Sequence, residues 1–425
     1  MNLWKNYSND RLSRLKEGCL AEYAELKARG LTLDMSRGKP SPDVLDLSNG
    51  LLRALESHFC EDGTDARNYG VPTGVSECRR LFSELTDIPA DQIIVGNNAS
   101  LELMYDFYSR LYLFGTLGHT PWSKLPRVKF LCPSPGYDRH FAISAEFGTE
   151  MIVVPMTENG PDMDVTEALA REDEAVKGIW CVPLYSNPQG AVYSDETVRR
   201  LAEMKTKAED FRIFWDNAYG LHHVFEEHSV ANILKAAETA GNEDRIYYFL
   251  SSSKVTFPGG GVGMAAASPA NIAEQKKRIS IKTIGYDKLN QLRFVQYFKT
   301  AENVRRHMRA IGDMLKPKFE IVLDALDAEL GETGLATWLR PKGWYFVGID
   351  TMEGCAKAVV ALAKEAGATF TKAGATFPHG ADPRDTSIRI APTYPSPDEL
   401  RDAMRLLCLC VKIVSADKLL RDRKS

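Results

Sequence analysis

An amine, a carboxylate and an amide stand at or just past the ends of three apolar segments. Lys254 follows RIYYFLSSS, Asp216 ends FRIFWD, and Asn187 follows GIWCVPLYS. A lysine amine forms an imine with an aldehyde. A carboxylate pairs with a ring nitrogen, keeps it protonated and makes the ring an electron sink, while an amide donates to an oxygen on the same ring. Singly, each residue reads as an ordinary loop residue at a strand end. All three, in order at successive segments, read as one site.

An anion cradle accompanies them. GNNASLELMYD (96–106) follows the apolar run QIIVG and opens a helical pattern. Its first amides, at Ala99, Ser100 and Leu101, would face an anion, although an ordinary helix cap explains Asn98 to Ser100 equally well when that segment is read alone. Ser251 and Ser253, in SSSK, add hydroxyls beside the lysine. An aldehyde, a ring nitrogen, a ring oxygen and a phosphate are what these groups would meet, and pyridoxal 5′-phosphate carries all four.

The elements that must position these residues alternate. Short β-rich runs occur at 92–96, 128–132, 150–155, 178–184, 211–216 and 245–250, with longer helical stretches between them, such as 100–114 and 194–210. Near-continuous apolar strands alternating with helices indicate an α/β fold with a mainly parallel sheet covered on both faces. In such a sheet ligands bind outside the carboxyl ends of the strands, where the three polar residues fall. Upstream, residues 10–29 read as a charged amphipathic helix, followed by the Gly- and Pro-rich SRGKPSPDVLDLSNG. Downstream, a helical region from Lys288 to Leu330 precedes a strand at 342–350, a helix at 355–367, a strand at 386–392 and a closing helix at 396–420 with Pro397 in its first turn. The expected division is an N-terminal arm with part of a small domain (1–48), a large domain (49–305) and a small C-terminal domain (306–425).

The chain has 425 residues, enough for a large core. Lys and Arg number 53 against 57 Asp and Glu, a formal charge of −4, which gives no electrostatic case for nucleic acid or an anionic membrane. No apolar run approaches the roughly 20 residues of a membrane span, and the N-terminus lacks a secretory signal. The eight cysteines are scattered without zinc-ligand spacing. No metal is expected, and reduced thiols in a cytoplasm are.

The ordered set YGVPTG, CPSPGYDRHF, SNPQG, DNAYG, SSSK and SIRIAP resembles the fold-type I pyridoxal-phosphate aminotransferases of the aspartate aminotransferase superfamily, over nearly the whole chain. It is most similar to the divergent bacterial subgroup Ic, described as aspartate aminotransferases. The resemblance implies a seven-stranded sheet in the large domain, and a small domain drawn from the N- and C-terminal segments. It implies that Lys254 carries the cofactor as a Schiff base and then moves the proton, that Asp216 pairs with the ring nitrogen, and that Tyr219 and Asn187 bond the ring oxygen. Tyr137 would stack on the ring, and Ala99, Ser100, Leu101, Ser251 and Ser253 would hold the phosphate. Tyr69 would reach the phosphate of a neighbouring subunit, making a homodimer with shared sites, with Thr283 and Ile284 at the contact. Arg389 would clamp the substrate α-carboxylate, with Gly38 close to the same group and Asn187 beside it.

One departure stands out. Many members of that family carry a phosphate-binding arginine in a PGxRxG segment after the lysine, where this chain has PGGGVG (258–263). For the distal carboxylate of a dicarboxylic donor, Arg37, Lys39, Arg139, Lys282 and Lys288 are all available. L-aspartate with 2-oxoglutarate is implied by the resemblance. A lyase or decarboxylase on the same fold is the rival enzyme. A ligand-sensing regulator is the rival of another class, but only about 35 residues precede SRGKP, too few for a helix-turn-helix domain.

Overall fold

A computed structural model describes residues 3–343 and 345–424. Eight strands form the main sheet: β1 (Ile93–Val95), β2 (Lys129–Ser134), β3 (Glu150–Thr157), β4 (Gly160–Pro161), β5 (Val176–Cys181), β6 (Arg212–Asp216), β7 (Ile246–Ser251) and β8 (Gly263–Ala267). Their spatial order is β1-β8-β7-β6-β5-β2-β3-β4. Only β8 and the two-residue β4 run against the rest. Seven strands match the expected sheet, and β4 is a short hairpin added to its edge. β8 reads GMAAA, a composition with little strand propensity. It holds its place by burial, and a Cβ on Gly263 would already press on Gly96 O at 2.8 Å and Leu103 Cδ1 at 3.0 Å.

The period-two alternation of the strands divides their side chains between two cores. Phe130, Trp180, Phe214, Tyr247 and Phe249 face one side, and Leu131, Ile179, Ile213, Trp215 and Tyr248 face the other. Helix α1 (Asn9–Ala28) lies apart from this sheet. Helices α2 (Ser100–Phe114) and α3 (Asp138–Glu146) cover the aromatic face with Phe107, Tyr108 and Phe141. Helices α4 (Lys288–Phe298) and α5 (Ala301–Leu330) contribute Leu292, Val304 and Phe319 to the other core. The helical region expected from Lys288 to Leu330 is thus two helices. Lys299 turns to φ +65, and Thr300 caps α5 by accepting from Asn303 N. Similarly, the helical pattern at 194–210 ends at Glu203, where Met204 becomes extended.

The closing helix α6 (Pro397–Asp422) starts with a Ser396–Glu399 capping box and packs against α1, tied by Arg29 to Asp402 at 2.6 Å. Leu33–Asp34 pairs with Ala368–Thr369 in parallel, so the N-terminal segment joins the C-terminal one. A second sheet, β9 (Ala336–Trp338), β10 (Val347–Thr351) and β11 (Ser387–Ile390), is antiparallel in that order. The strand expected at 342–350 begins only at Val347, and Trp344 lies outside the described residues. Helix α5 runs unbroken across position 305. Among the described residues no helix is long and apolar enough to cross a membrane, and all eight cysteines are free.

Candidate functional site

The strand order reverses between β2 and β5. Successive strands step outward from there, to β3 on one side and to β6 and β7 on the other. Loops leaving the carboxyl ends at such a switch point diverge, and the gap between them is a ligand crevice. A cavity of about 240 Å³ opens there, lined among others by Asn98, Ala99, Ser100, Leu101, Tyr137, Asn187, Asp216, Tyr219, Ser251, Ser253 and Lys254. Ten of the expected site residues therefore converge on one space.

Two polar atoms in this cavity are buried without a hydrogen-bond partner, Asp216 Oδ1 and Asn187 Nδ2. Burying such atoms unpaired costs about 1–3 kcal/mol each, so an acceptor and a donor are held ready for a ligand. The other carboxylate oxygen, Asp216 Oδ2, sits 3.0 Å from His140 Nε2. The His140 ring stacks on Trp180 at 4.5 Å and 10°, and both acid and imidazole are only 2–3% exposed. His140 was not singled out from the sequence. Its signal was its position three residues after Tyr137, which puts His140 on the first turn of α3 with Tyr137 at the N-cap.

Lys254 ends a short 3-10 turn after β7. Its Nζ lies 4.9 Å from the Tyr219 ring centre and 5.6 Å from that of Tyr345. Burial lowers the proton affinity of the amine from its ordinary value, and the Asp216 charge opposes that shift. Burial, reinforced by Tyr137, Tyr345 and Asp216, raises Tyr219 well above the usual phenol range. His222, buried beside Tyr219 and Tyr345, is pushed well below its ordinary value by burial first and Lys254 second. The amine thus stands among neutral groups, with Asp216 as its acidic neighbour.

The anion cradle is an open helix end. Helix α2 begins after Ala99, which supplies no side-chain cap, so its first-turn amides lack partners within the helix. Ser251 Oγ and Ser253 Oγ lie 3.1 Å apart, and Ser253 Oγ is 3.3 Å from Asn98 O. The glycine loop explains the departure from PGxRxG. A Cβ at Gly261 would meet Asn98 O at 2.5 Å and Ser253 Oγ at 3.0 Å, so no side chain fits there. Val262 turns into the core, 1% exposed. Open amides, two hydroxyls, an orphaned acceptor, an orphaned donor and a desolvated amine fit an aromatic aldehyde bearing a phosphate.

Three expected residues do not line this cavity. Arg389, on β11, reaches it through Asn187, with Nη1 3.3 Å from Asn187 Oδ1. Gly348, paired with Arg389 in the register, packs on Pro188 and Gln189 so tightly that a Cβ would sit 3.2 Å from each. That contact presses the small sheet against the Asn187 loop. Gly38 abuts Tyr345 and Phe346, at 2.6 and 2.5 Å from an imagined Cβ, and Arg389 lies over Phe346 at 4.7 Å. Tyr345 and Phe346 were read only as part of a strand. Tyr69 is 79% exposed and lines a separate surface depression with Gly285 and Lys288. None of the five cations considered for a distal carboxylate lines the cavity. Lys282 pairs with Asp106 at 3.2 Å, Lys288 donates to Gly70 O at 3.1 Å, and Lys39 lies over Tyr394 at 3.9 Å. Arg37 and Arg139 are exposed.

Comparison with known proteins agrees with this geometry. The aspartate amino-transferase family matches residues 7–423. A Mycolicibacterium smegmatis protein named as an aminotransferase, with no substrate given, is 49% identical over 94% of this chain and 95% of its own. An aspartate aminotransferase of Corynebacterium glutamicum is 41% identical over 97% of this chain and 96% of its own. A crystal structure of an aspartate transaminase from that organism superposes with a TM-score of 0.95 at 41% identity, covering 98% of this chain and 99% of the other. The α-aminoadipate aminotransferase of Thermus thermophilus, solved with N-(5′-phosphopyridoxyl)-L-leucine, shares the fold at a TM-score of 0.74 and 22% identity, over 92% and 95% of the two chains. Matched from residue 7 to residue 423, the chain belongs to the aspartate amino-transferase family and is a fold-type I aminotransferase.

Proposed function

We propose that this aminotransferase moves an amino group between L-aspartate and 2-oxoglutarate, using pyridoxal 5′-phosphate held by Lys254. The observation that carries the reading is the pair of orphaned atoms, Asp216 Oδ1 and Asn187 Nδ2, in the same cavity as the desolvated Lys254 amine. When bound, pyridoxal phosphate supplies an aldehyde that an amine captures and a ring that accepts an electron pair. Asp216 Oδ1 accepts from the ring nitrogen, and His140 fixes Oδ2. Asn187 Nδ2 and the Tyr219 hydroxyl donate to the ring oxygen, and Tyr137 packs on the ring face.

The α2 amides with Ser251 and Ser253 hold the phosphate. A Lys254 amine with lowered proton affinity is unprotonated more of the time, so Nζ can capture an aldehyde and later take the substrate α-proton. Arg389 binds the α-carboxylate with two donors, with Gly38 beside it. Tyr69, exposed and outside its own cavity, serves the site of a second copy. Ile284, 60% exposed, directly precedes Gly285, which lines the same depression as Tyr69. Aspartate as donor rests on the Corynebacterium glutamicum relative's name.

The test is a steady-state panel of amino donors with 2-oxoglutarate. Aspartate is expected to give glutamate and oxaloacetate with ping-pong kinetics. Release of ammonia or carbon dioxide in place of glutamate would refute transamination. A preference for aromatic donors or alanine would refute the substrate.

A further inference from the structure

The guanidinium assigned to the substrate already faces an acid of the same chain. Arg389 Nη1 lies 3.6 Å from Asp138 Oδ1, and the arginine side chain is 10% exposed against 40% for the aspartate. The guanidinium has other partners. Nε donates to Thr371 Oγ1 at 3.2 Å and Nη1 to Asn187 Oδ1 at 3.3 Å, over the Phe346 ring. Among the described residues Asp138 is the carboxylate within ion-pair distance of Arg389.

Asp138 also has favourable surroundings apart from Arg389. It is the first residue of α3, where a helix favours an anion, and its exposed side lets it turn to water. The pair is a loose ionic contact, without the two-pronged hydrogen bonds that an incoming carboxylate could make with the same fork.

We propose that Asp138 is an internal competitor for Arg389. It partners the largely buried guanidinium while no ligand carboxylate is present, and it yields when one binds. Its charge would then weaken binding of every amino acid and keto acid alike. This rests on Arg389 being the α-carboxylate clamp. Two anions roughly 5–6 Å apart, at an effective dielectric of about 50, repel by the equivalent of about a sevenfold change in affinity. Across that range of separations, and with solvent screening lowering the lower end, a threefold to tenfold effect is expected.

The experiment uses the holoenzyme and its Asp138→Asn, Asp138→Glu and Arg389→Ala variants. It measures KM and kcat for L-aspartate, L-alanine and 2-oxoglutarate, and the Kd of the unreactive dicarboxylate maleate from the visible absorbance of the bound cofactor. Asp138→Asn should lower each KM and the maleate Kd threefold to tenfold, change kcat less, and lose its advantage at high salt. Asp138→Glu should behave like the parent. An unchanged or raised KM in Asp138→Asn overturns the proposal, and so does an effect confined to dicarboxylates. If Arg389→Ala leaves KM and the maleate Kd unchanged, the clamp assignment itself fails, whatever the Asp138 variants show.

Discussion

Replacing Asp216 by asparagine keeps its shape and removes its charge. The side chain is 3% exposed, with Oδ2 3.0 Å from His140 Nε2 and Oδ1 without a partner. In the variant His140 can still donate to the amide oxygen, which turns Nδ2 toward the cavity. A donor then faces the protonated ring nitrogen, itself a donor. A hydrogen bond to a charged group is worth about 1.5–3 kcal/mol against 0.5–1.5 for a neutral one, and a buried donor left unpaired costs another 1–3. Losing the charged bond and leaving the donor unpaired together cost about 2.5–6 kcal/mol, which corresponds to at least roughly seventyfold weaker cofactor binding. The Lys254 amine loses the one charge that opposes its desolvation, so its proton affinity falls further. Equilibrium titration of the cofactor-free protein with pyridoxal phosphate reads the first effect, and the pH dependence of the rate at which the cofactor-free variant forms the imine reads the second. Binding within twofold of the parent, with single-turnover amino transfer within tenfold, would refute the reasoning.

Lys254→Met should stabilise the cofactor-free protein. Burial lowers the folded amine below its unfolded value near 10.4, so the unfolded chain binds more protons between those two values and parent stability rises with pH across that window. The advantage of Lys254→Met, measured by denaturant unfolding, is expected to shrink by about 1.4 kcal/mol for each pH unit within it, and a gap independent of pH would contradict this. His140→Ala leaves Asp216 Oδ2 unpaired and removes the stack on Trp180, so unfolding free energy should drop by about 2–4 kcal/mol; a loss under about 0.5 kcal/mol would show the contact is not held. Gly261→Ala drives a methyl against Asn98 O. It should cost about 1–3 kcal/mol of stability and loosen cofactor binding, and wild-type values for both would mean the glycine loop is not fixed against the cradle.

Much of this arrangement is written locally in the sequence. A buried parallel strand needs an unbroken apolar run, so RIFWD and IYYFLS announce themselves, and their last residues must emerge at the sheet edge. That is why Asp216, Lys254 and Asn187 were legible together. β8 was not, because GMAAA owes its strand to the neighbours on either side rather than to its own propensity. Nor were Lys299 and Thr300 seen as a helix break, since a left-handed lysine and a threonine cap are weak signals inside a long amphipathic pattern. His140 and Asp138 act through contacts 76 and more than 200 residues away in the chain, and no spacing rule reaches that far. Tyr345 and Phe346 gain their meaning only when the small sheet is pressed on the Asn187 loop.

The proposed catalysis depends on the amine at 254 capturing the cofactor aldehyde beside Asp216. Borohydride reduction of the loaded protein followed by peptide mass spectrometry tests it directly. One phosphopyridoxyl adduct is expected, on the peptide bearing Lys254, and none in Lys254→Ala. An adduct on another lysine, or an unmodified Lys254 in protein that still turns over, would contradict it.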